Sequence, residues 1–423
     1  MRVLLLVNGA LGEQLAAPEI RGWEMARVLA SRHHVTISAS HPSEVREGIR
    51  IVPSNRTTLV REARGCDVVV APRMPAYLFG ALAGHDAPLV VADLYNPFDA
   101  ERSELLGSST DRRDLATAHV GHRLQLRFAD VILSAVEAQR RRLIEQLREL
   151  PPRPGRQPAL EVVRFGISDD PPPSDRRPLR EQFPAIRPDD IVILWWGNIW
   201  RWFDADLAIR AVAHIAQSRP DVRLVVTAGR SPRGDSPHLT ATDAARALAV
   251  ELGVLDKNVF FLDEWVAQKD RHDYLEEADI GLTLARDTPE TTVAARGRYM
   301  DYLWAALPCV LGAGDELSER FSEAGFALTV PPADLNSAIA CLEALISDPD
   351  ARRRASKAGR ALSAEFRWSV TVQPLLDRID QLEGEEPALA HPWPLLAGEL
   401  GEYYARRAWH KASLTVAQRA GGR

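Results

Sequence analysis

Short apolar segments alternate with amphipathic segments along most of the chain. Residues 3–7 and 89–92 are continuous apolar runs, and runs of this length indicate parallel strands buried on both faces. Residues 18–31 and 137–149 instead repeat their apolar positions at helical spacing. Because strands and helices alternate, the pattern predicts a doubly wound α/β fold with a parallel sheet. Further strands are predicted at 35–39, 67–71, 131–134 and 161–164, and a further helix at 111–129.

The alternation stops at a proline-rich stretch and then restarts. A single hydrophobic core stops growing at roughly 250–300 residues, so a chain of 423 residues predicts two domains. The second half has predicted strands at 191–196, 222–228, 259–262, 280–284 and 308–311, and predicted helices at 204–218, 240–252, 271–278, 293–306, 333–347, 349–366 and 370–383. The predicted organisation is a Rossmann-like domain over 1–167, a linker over 168–188, a second Rossmann-like domain over 189–370, and C-terminal helices over 371–423 that pack back on the first domain.

Composition argues against several classes of function. The chain has 52 basic and 58 acidic residues and a net charge of −6, which gives no electrostatic case for a nucleic-acid partner. Only four of the basic residues are lysines, so chemistry that needs a lysine Schiff base has few positions. Three widely separated cysteines favour a reducing compartment. No apolar run is long enough to span a membrane, and we expect a cytoplasmic protein without a transmembrane segment.

Polar residues directly after predicted strands are candidates for a site, since ligands of open α/β sheets bind beyond the carboxyl ends of the strands. In the first domain, Gly12 and Glu13 lie in the loop after the first strand, and Asp93 and Tyr95 follow a later one. A carboxylate at a buried strand end is costly unless it is paired or used, so Asp93 is either a turn cap or a site residue. Arg21, on the first predicted helix, is expected to face solvent.

Four tryptophans fall within eight residues near the start of the second domain, at 195, 196, 200 and 202. The first two lie on a predicted strand and are expected in the core, whereas the last two follow Gly197 in a loop expected to face the site. Asp204 is a good N-cap. A helix N-terminus after a glycine turn binds anions, and Arg201 adds a candidate charge-assisted contact. The D-x-D pattern at 204–206 is expected to begin a helix and not to hold a metal.

A polar segment lies between the predicted strands at 280–284 and 308–311. Glu290 and Thr291 precede a predicted helix, and Asp301 lies about three turns further on. Ordinary N-capping explains the first two residues. It does not explain Arg296, Arg298 and Asp301 together on a helix expected to be buried. Groups at both ends of such a helix are suited to hold a nucleotide sugar.

These segments together resemble the GT-B glycosyltransferases, in particular the retaining family 4-like enzymes. The resemblance covers about residues 1–380 and is most specific at 283–311. There, Glu290-Thr291 and residues 296–308 are similar to the donor signature E-x7-E followed by G-x-P, with Ala306 in place of the glycine. Similar segments elsewhere are 129–135, 165–167, 196–197, 226–229 and 261–266. The resemblance implies two Rossmann-like doubly wound domains that face a cleft, which is the GT-B fold.

The resemblance also implies roles for individual residues. Asp301 takes the place of the signature glutamate that holds the ribose hydroxyls, and Glu290 is the candidate for the glutamate near the donor sugar, although it lies three residues too far from Asp301. Asn198 and Phe203 replace the family's arginine and lysine on the diphosphate, which leaves Arg201 as the candidate cation. The predicted set is Asp93, Arg201 and Glu290 for catalysis; Gly197, Asn198, Trp200, Gly229, Arg230, Trp265, Val266, Thr291, Thr292, Arg296 and Asp301 for the nucleotide sugar; and Gly12, Glu13 and Tyr95 for the acceptor.

The activity implied by the resemblance is transfer of a sugar from a UDP- or GDP-type nucleotide-diphosphate-sugar to a small-molecule acceptor. Retention of configuration is implied as well. The choice of a small-molecule acceptor, in specialised metabolism, rests instead on the sequence, which carries no membrane or polymer signal. No cofactor and no metal are expected, and the donor and the acceptor are the expected partners. Two alternatives stay open. One is a catalytically inactive GT-B-like protein that binds a nucleotide or a sugar, which the loss of two basic residues favours. The other is a nucleotide-sugar epimerase, which acts without an acceptor.

Overall fold

The structure is a computed structural model that describes residues 1–97, 100–101, 109–151, 156–168, 176–229 and 240–421, with the backbone alone described at 109–113, 240 and 412–421. The chain forms two compact units. Unit 1 comprises Met1–Leu11, Pro18–Arg164 and Val372–Arg423, and unit 2 comprises Gly12–Ala17 and Phe165–Thr371. Among the described residues, no helix is long and apolar enough to cross a membrane.

Unit 1 is built on a mostly parallel sheet. Its described strands are β1 (Arg2–Leu6), β2 (His34–Ala39), β3 (Glu44–Arg46), β4 (Ile49–Pro53), β5 (Val68–Ala71), β6 (Leu89–Asp93), β7 (Val131–Ser134) and β8 (Ala159–Val162). They lie in the order β3-β4-β2-β1-β5-β6-β7-β8, and β3 runs antiparallel to β4. The helices that precede unit 2 along the chain are α1 (Ala17–Leu29), α2 (Arg56–Arg64), α3 (Ala76–Leu82), α4 (Ser109–Phe128) and α5 (Glu137–Glu149).

The core of unit 1 follows from the apolar runs of its strands. β5, β6 and β7 are buried along their whole length, as expected for parallel strands covered on both faces. Alternate residues of neighbouring strands point to the same face. Leu4, Val69 and Val90 therefore pack in one cluster with Phe79 and Leu124 of the helices.

Unit 2 contains a parallel sheet with the strand order of a dinucleotide-binding fold. Its described strands are β9 (Ile191–Trp195), β10 (Val222–Thr227), β11 (Val259–Leu262), β12 (Ile280–Thr283), β13 (Cys309–Gly312) and β14 (Ala327–Val330). They lie in the order β11-β10-β9-β12-β13-β14. The order reverses between β9 and β12, and the switch point of such a sheet is where ligands bind.

Helices surround this second sheet. They are α6 (Pro178–Gln182), α7 (Ala205–Ile215), α8 (Thr240–Glu251), α9 (Arg271–Glu277), α10 (Gly297–Trp304), α11 (Glu316–Glu323), α12 (Leu335–Ser347), α13 (Pro349–Leu362) and α14 (Trp368–Thr371). Asp204 caps α7 as predicted, because its side chain accepts a hydrogen bond from the Leu207 N–H at 3.2 Å. The buried face of α7 packs Ile209 and Val212 into a core with Trp195.

The C-terminal helices α15 (Gln373–Gln381) and α16 (Leu395–Gly421) belong to unit 1. α16 is held on α4 by ion pairs. Glu399 accepts hydrogen bonds from Arg123 and Arg127, each at 2.7 Å. Gly121 of α4 faces the ring of Tyr403 on α16, which lies 3.6 Å from where a Cβ would be.

Two parallel sheets with intervening helices confirm the predicted α/β class. The sequence prediction missed the short strands β3, β4 and β14 and the helices α2, α3 and α11, whose runs of apolar residues are brief. Residues 178–182, which were assigned to a linker, form α6. The reason is Glu277, a buried carboxylate that accepts hydrogen bonds from the backbone N–H groups of Leu179 and Arg180, at 2.6 and 3.1 Å, and from the Arg180 side chain at 2.9 Å.

We expect Glu277→Gln to lower the free energy of unfolding by about 1–3 kcal/mol, because an amide cannot replace a buried carboxylate that accepts several hydrogen bonds. Urea unfolding measures the change. Glu251→Gln, an exposed position on α8, is the matched control and is expected to stay within about 0.5 kcal/mol of the wild type. Equal stability of the two variants would contradict the role of Glu277 as the anchor of α6.

Candidate functional site

The candidate site of unit 2 lies at the carboxyl ends of β9 to β12. Gly197 follows β9 with a φ of +85°, a backbone conformation that favours glycine. Its N–H donates to Thr227 Oγ1 at 2.6 Å, at the end of β10. The loop after β9 is also tied to the segment after β12, since the Arg286 N–H donates to the Trp202 carbonyl at 2.8 Å. The turn at Gly197 is therefore fixed by both neighbouring strands.

A second glycine brings the loops after β10 and β11 together. A Cβ at Gly229 would lie 2.4 Å from the Glu264 carbonyl oxygen, so only glycine permits this approach. Trp265 and Val266 follow and are half-buried. The Trp265 indole N–H is buried and has no hydrogen-bond partner in the part of the chain that the structure describes. Arg230, predicted to bind the nucleotide sugar, lies outside the described residues.

Asp301 on α10 is held by two donors. The Trp196 indole N–H donates to Asp301 Oδ2 at 2.8 Å, and Arg271 forms an ion pair with Oδ1. Burial lowers the pKa of Arg271 to about 10, and the neighbouring carboxylate compensates its charge. A carboxylate has more acceptor positions than these two contacts use. Asp301 is thus oriented by the protein and retains capacity to accept hydrogen bonds from a ligand.

The neighbouring Tyr302 occupies the switch point itself. Its hydroxyl accepts a hydrogen bond from the Trp196 N–H at 3.1 Å and donates to the Leu282 carbonyl at 3.0 Å. Burial raises the pKa of Tyr302 to about 12, so the hydroxyl stays protonated. The ends of β9 and β12 are in this way joined to α10, which carries Asp301.

Glu290 is buried in an ion pair. Its carboxylate accepts hydrogen bonds from Arg296 at 2.9 and 3.2 Å, and both residues are at most 5% exposed. Thr291 is buried as well, with its hydroxyl donating to the Arg286 carbonyl at 2.8 Å, whereas Thr292 is exposed. Glu290 and Arg296 therefore brace the turn that leads into α10.

The tryptophan cluster differs from its prediction. Trp195 is buried in the core as expected, and so is Trp196 apart from its indole hydrogen bond to Asp301. Trp202, predicted to lie in a loop facing the site, is also part of the core. The reason is that Trp200 and Trp202 stack on each other, with ring centroids 5.3 Å apart and planes 5° from parallel. Arg201 between them is exposed.

A different arginine reaches the Gly197 turn. Arg298 Nη2 donates to the Asn198 carbonyl at 2.6 Å, and the guanidinium lies over the Phe203 ring at 4.0 Å from its centroid. Helix capping does not explain Arg298, and the sequence alone predicts no role for it. The only feature of the sequence that points to a role is the position of Arg298 in the first turn of α10, three residues before Asp301. Its contact with Asn198, 100 residues away, could not be predicted from the sequence.

The D-x-D pattern is structural in the described protein. Asp204 caps α7, and Asp206 lies 3.5 Å from Arg286 in an ion pair. Across the described ranges, no cluster of three or more histidine, cysteine or acidic side chains suits a metal ion.

The candidate residues of unit 1 centre on a buried ion pair. Arg21 donates to both oxygens of Asp93, at 2.7 and 2.8 Å, and lies over the Tyr95 ring at 5.0 Å from its centroid. The expectation that Arg21 faces solvent is wrong, since it is 1% exposed; a buried Asp93 needs a cation. Burial raises the pKa of Tyr95. Gly12 and Glu13 are exposed, in the segment that clusters with unit 2.

The chain is similar in sequence to a glycosyltransferase. No family model matches it. It is 28% identical over 236 residues to the D-inositol 3-phosphate glycosyltransferase of Kribbella flavida, a match that covers 55% of this chain and 53% of that protein. The chain thus spans about half the length of this curated relative.

Solved structures share the fold over most of the chain. Sucrose-phosphate synthase from Thermosynechococcus elongatus matches with a TM-score of 0.67 at 15% identity, over 90% of this chain and 99% of that one. Anabaena HepE in complex with UDP-glucose matches with a TM-score of 0.66 at 15% identity, over 90% of this chain and 100% of that one. A UDP-forming trehalose-phosphate synthase from Burkholderia xenovorans matches with a TM-score of 0.65 at 14% identity, over 90% of this chain and 100% of that one. The chain has the GT-B fold of glycosyltransferases, and the predicted fold class is confirmed.

We expect Asp93→Asn to lower the free energy of unfolding by about 3–5 kcal/mol, because it leaves the buried Arg21 without a compensating charge. The double variant Arg21→Met, Asp93→Leu removes both charges and is expected to recover most of the loss. Urea unfolding measures both, with Asp86→Asn, an exposed position of unit 1, as the control. An Asp93→Asn protein as stable as the control would show that the pair does not support the fold.

Proposed function

We propose that this protein is a glycosyltransferase that takes a sugar from a nucleoside-diphosphate sugar bound to unit 2. The observation that carries the proposal is the set of residues at the switch point of the second sheet, where Gly197, Gly229 and Trp265 follow strands and Asp301 lies on α10. The relatives support it, since one is named a glycosyltransferase and a protein with the same fold was solved with UDP-glucose.

The nucleoside is assigned to Trp265 and Asp301. Trp265 carries a buried indole N–H without a partner among the described residues, and such a donor gains a hydrogen bond when a base is bound. Asp301 is fixed by Trp196 and Arg271, so its remaining lone pairs face a defined direction and can accept from the ribose hydroxyls.

The diphosphate is assigned to the space between the Gly197 turn and the start of α10. α10 begins at Gly297, and the first N–H groups of a helix together with its dipole favour an anion. The buried ion pair between Glu290 and Arg296 stabilises the turn that leads into α10. A preformed electropositive space stabilises the charge that develops on the leaving diphosphate.

In the proposed reaction, the bond between the sugar C1 and the diphosphate oxygen breaks, and a bond between C1 and an acceptor oxygen forms on the same face. Because the new bond forms on the face that the diphosphate leaves, the configuration at C1 is retained. The acceptor proton passes to an oxygen of the leaving diphosphate. The acceptor is a small molecule of specialised metabolism, bound on the side of unit 1 that carries Asp93 and Tyr95. Asp93 is paired with Arg21, so its role is to position neighbouring groups and not to exchange protons.

We expect at least one of UDP, GDP, ADP and dTDP to raise the unfolding temperature of the protein. A ligand that binds only the folded state at about a hundred times its Kd adds about 2.7 kcal/mol of stability. Differential scanning fluorimetry measures the shift, and the corresponding nucleosides are the control. Absence of a shift with all four would argue against a nucleotide-sugar enzyme. A shift without product from any pair of donor and acceptor would favour the inactive binding protein.

We expect Asp301→Asn to reduce discrimination between the preferred nucleotide and its 2′-deoxy analogue, because the charged acceptor for the ribose hydroxyls is lost. Isothermal titration of both ligands gives the ratio of their Kd values, which is expected to fall at least threefold. Asp189→Asn, exposed in unit 2, is the matched control. The same ratio in Asp301→Asn as in the wild type would remove Asp301 from the ribose site.

A further inference from the structure

Arg298 of unit 2 differs from neighbouring arginines because no carboxylate of the described residues is paired with it. Arg296 is paired with Glu290, Arg271 with Asp301 and Arg180 with Glu277. Arg298 has no carboxylate within ion-pair distance in the described part of the chain. Its Nη1 is fully buried and has no hydrogen-bond partner there.

A partly buried guanidinium without an ion-pair partner is costly. Burial lowers the pKa of Arg298, to about 10, but leaves it protonated at neutral pH. A buried charged donor without a partner loses hydration that no contact replaces. A bound anion would restore both the charge balance and the missing hydrogen bond. The guanidinium has a planar fork that suits the oxygens of a phosphate.

The position of Arg298 specifies which anion. Its Nη2 contacts the carbonyl of Asn198, and its guanidinium lies over Phe203. The resemblance to the GT-B enzymes implies that the family has diphosphate-binding cations at these two positions. The Arg298 Nη2 also lies 3.4 Å from where a Cβ of Gly197 would be. The guanidinium of Arg298 on α10 thus contacts both Asn198 and Phe203, the two positions where the resemblance implies a cation.

Phe203 has a defined part in this arrangement. Both Arg298 and Arg296 lie over its ring, at 4.0 and 4.7 Å from the centroid. An aromatic face attracts a guanidinium without neutralising it. Phe203 therefore holds Arg298 in place and leaves its charge available, which a carboxylate partner would not do.

We propose that Arg298 binds the diphosphate of the donor and replaces the two basic residues absent at 198 and 203. The inference rests on the proposed function, and it names the cation that the reaction needs. Because this charge is fixed before the donor binds, it stabilises the negative charge that grows as the C1–oxygen bond breaks.

The test compares Arg298→Met with Arg210→Met, an exposed position on α7 of the same unit. Titrations with UDP, uridine and inorganic pyrophosphate separate the diphosphate from the nucleoside. We expect Arg298→Met to raise the Kd for UDP at least tenfold and to abolish the stabilisation of the protein by pyrophosphate. The Kd for uridine is expected to change less than twofold. Arg298→Lys is expected to recover part of the UDP affinity. Arg210→Met is expected to match the wild type with all three ligands.

A structural role gives a different pattern. If Arg298 only supported the fold, Arg298→Met would lower the unfolding temperature without ligand and weaken UDP and uridine equally, which would overturn the proposal. We expect its ligand-free unfolding temperature to equal or exceed that of the wild type, because an unpaired charge is removed. Should Arg298→Met fail to fold, Arg298→Lys is compared with the wild type instead. Weaker binding of UDP and pyrophosphate with unchanged binding of uridine supports the proposal, and equal weakening of all three overturns it.

The remaining outcomes separate this inference from the proposed function. Unchanged UDP affinity in Arg298→Met, or a loss in Arg201→Met alone, would overturn the role of Arg298 and leave the glycosyltransferase proposal intact. Pyrophosphate binding that depends on Arg298 in a protein that binds no nucleotide would uphold the anion site and overturn the nucleotide-sugar function. A wild type that binds neither pyrophosphate nor any of UDP, GDP, ADP and dTDP would overturn both.

Discussion

Buried guanidinium groups need opposite charge, and this constraint organises the ends of the strands in both units. Arg21 is paired with Asp93 at the end of β6, and Arg296 with Glu290 before α10. Arginine suits this use, because its fork of donors meets both oxygens of one carboxylate. A chain with only four lysines among 52 basic residues has a large supply of such forks. The pairs stiffen loops that would otherwise depend on backbone contacts alone.

The rigidity matters because much of the candidate site is made of loops. Gly197 and Gly229 each follow a strand and Asp301 lies on α10, and each is fixed by a contact to a neighbouring element or loop. Tyr302 joins the two strands that diverge at the switch point. A site built this way keeps its geometry without a ligand, so binding does not have to order it first.

The sequence predicted the features that depend on local pattern. The alternation of apolar runs with helical spacing located the strands and helices around the site, and the cap at Asp204 was correct because capping is a local interaction. Arg21 was assigned to solvent because nothing near it in the sequence shows a partner 72 residues away. Trp202 was misplaced for a related reason, since its stacking on Trp200 depends on a loop conformation that spacing does not specify. The contact between Arg298 and Asn198 spans 100 residues, and only the fold brings them together. Whether the predicted residues bind a donor stays a prediction.

The placement of two guanidinium groups over the Phe203 ring has an evolutionary consequence. A lysine at 203, as in the resembled family, would bring a third positive charge against Arg296 and Arg298 and would remove the aromatic face that holds them. A lysine at 203 and an arginine at 298 are therefore mutually exclusive solutions to the same electrostatic requirement. Lineages that change from one to the other must exchange both positions together, so residues 203 and 298 should covary among homologues although they lie far apart in the chain.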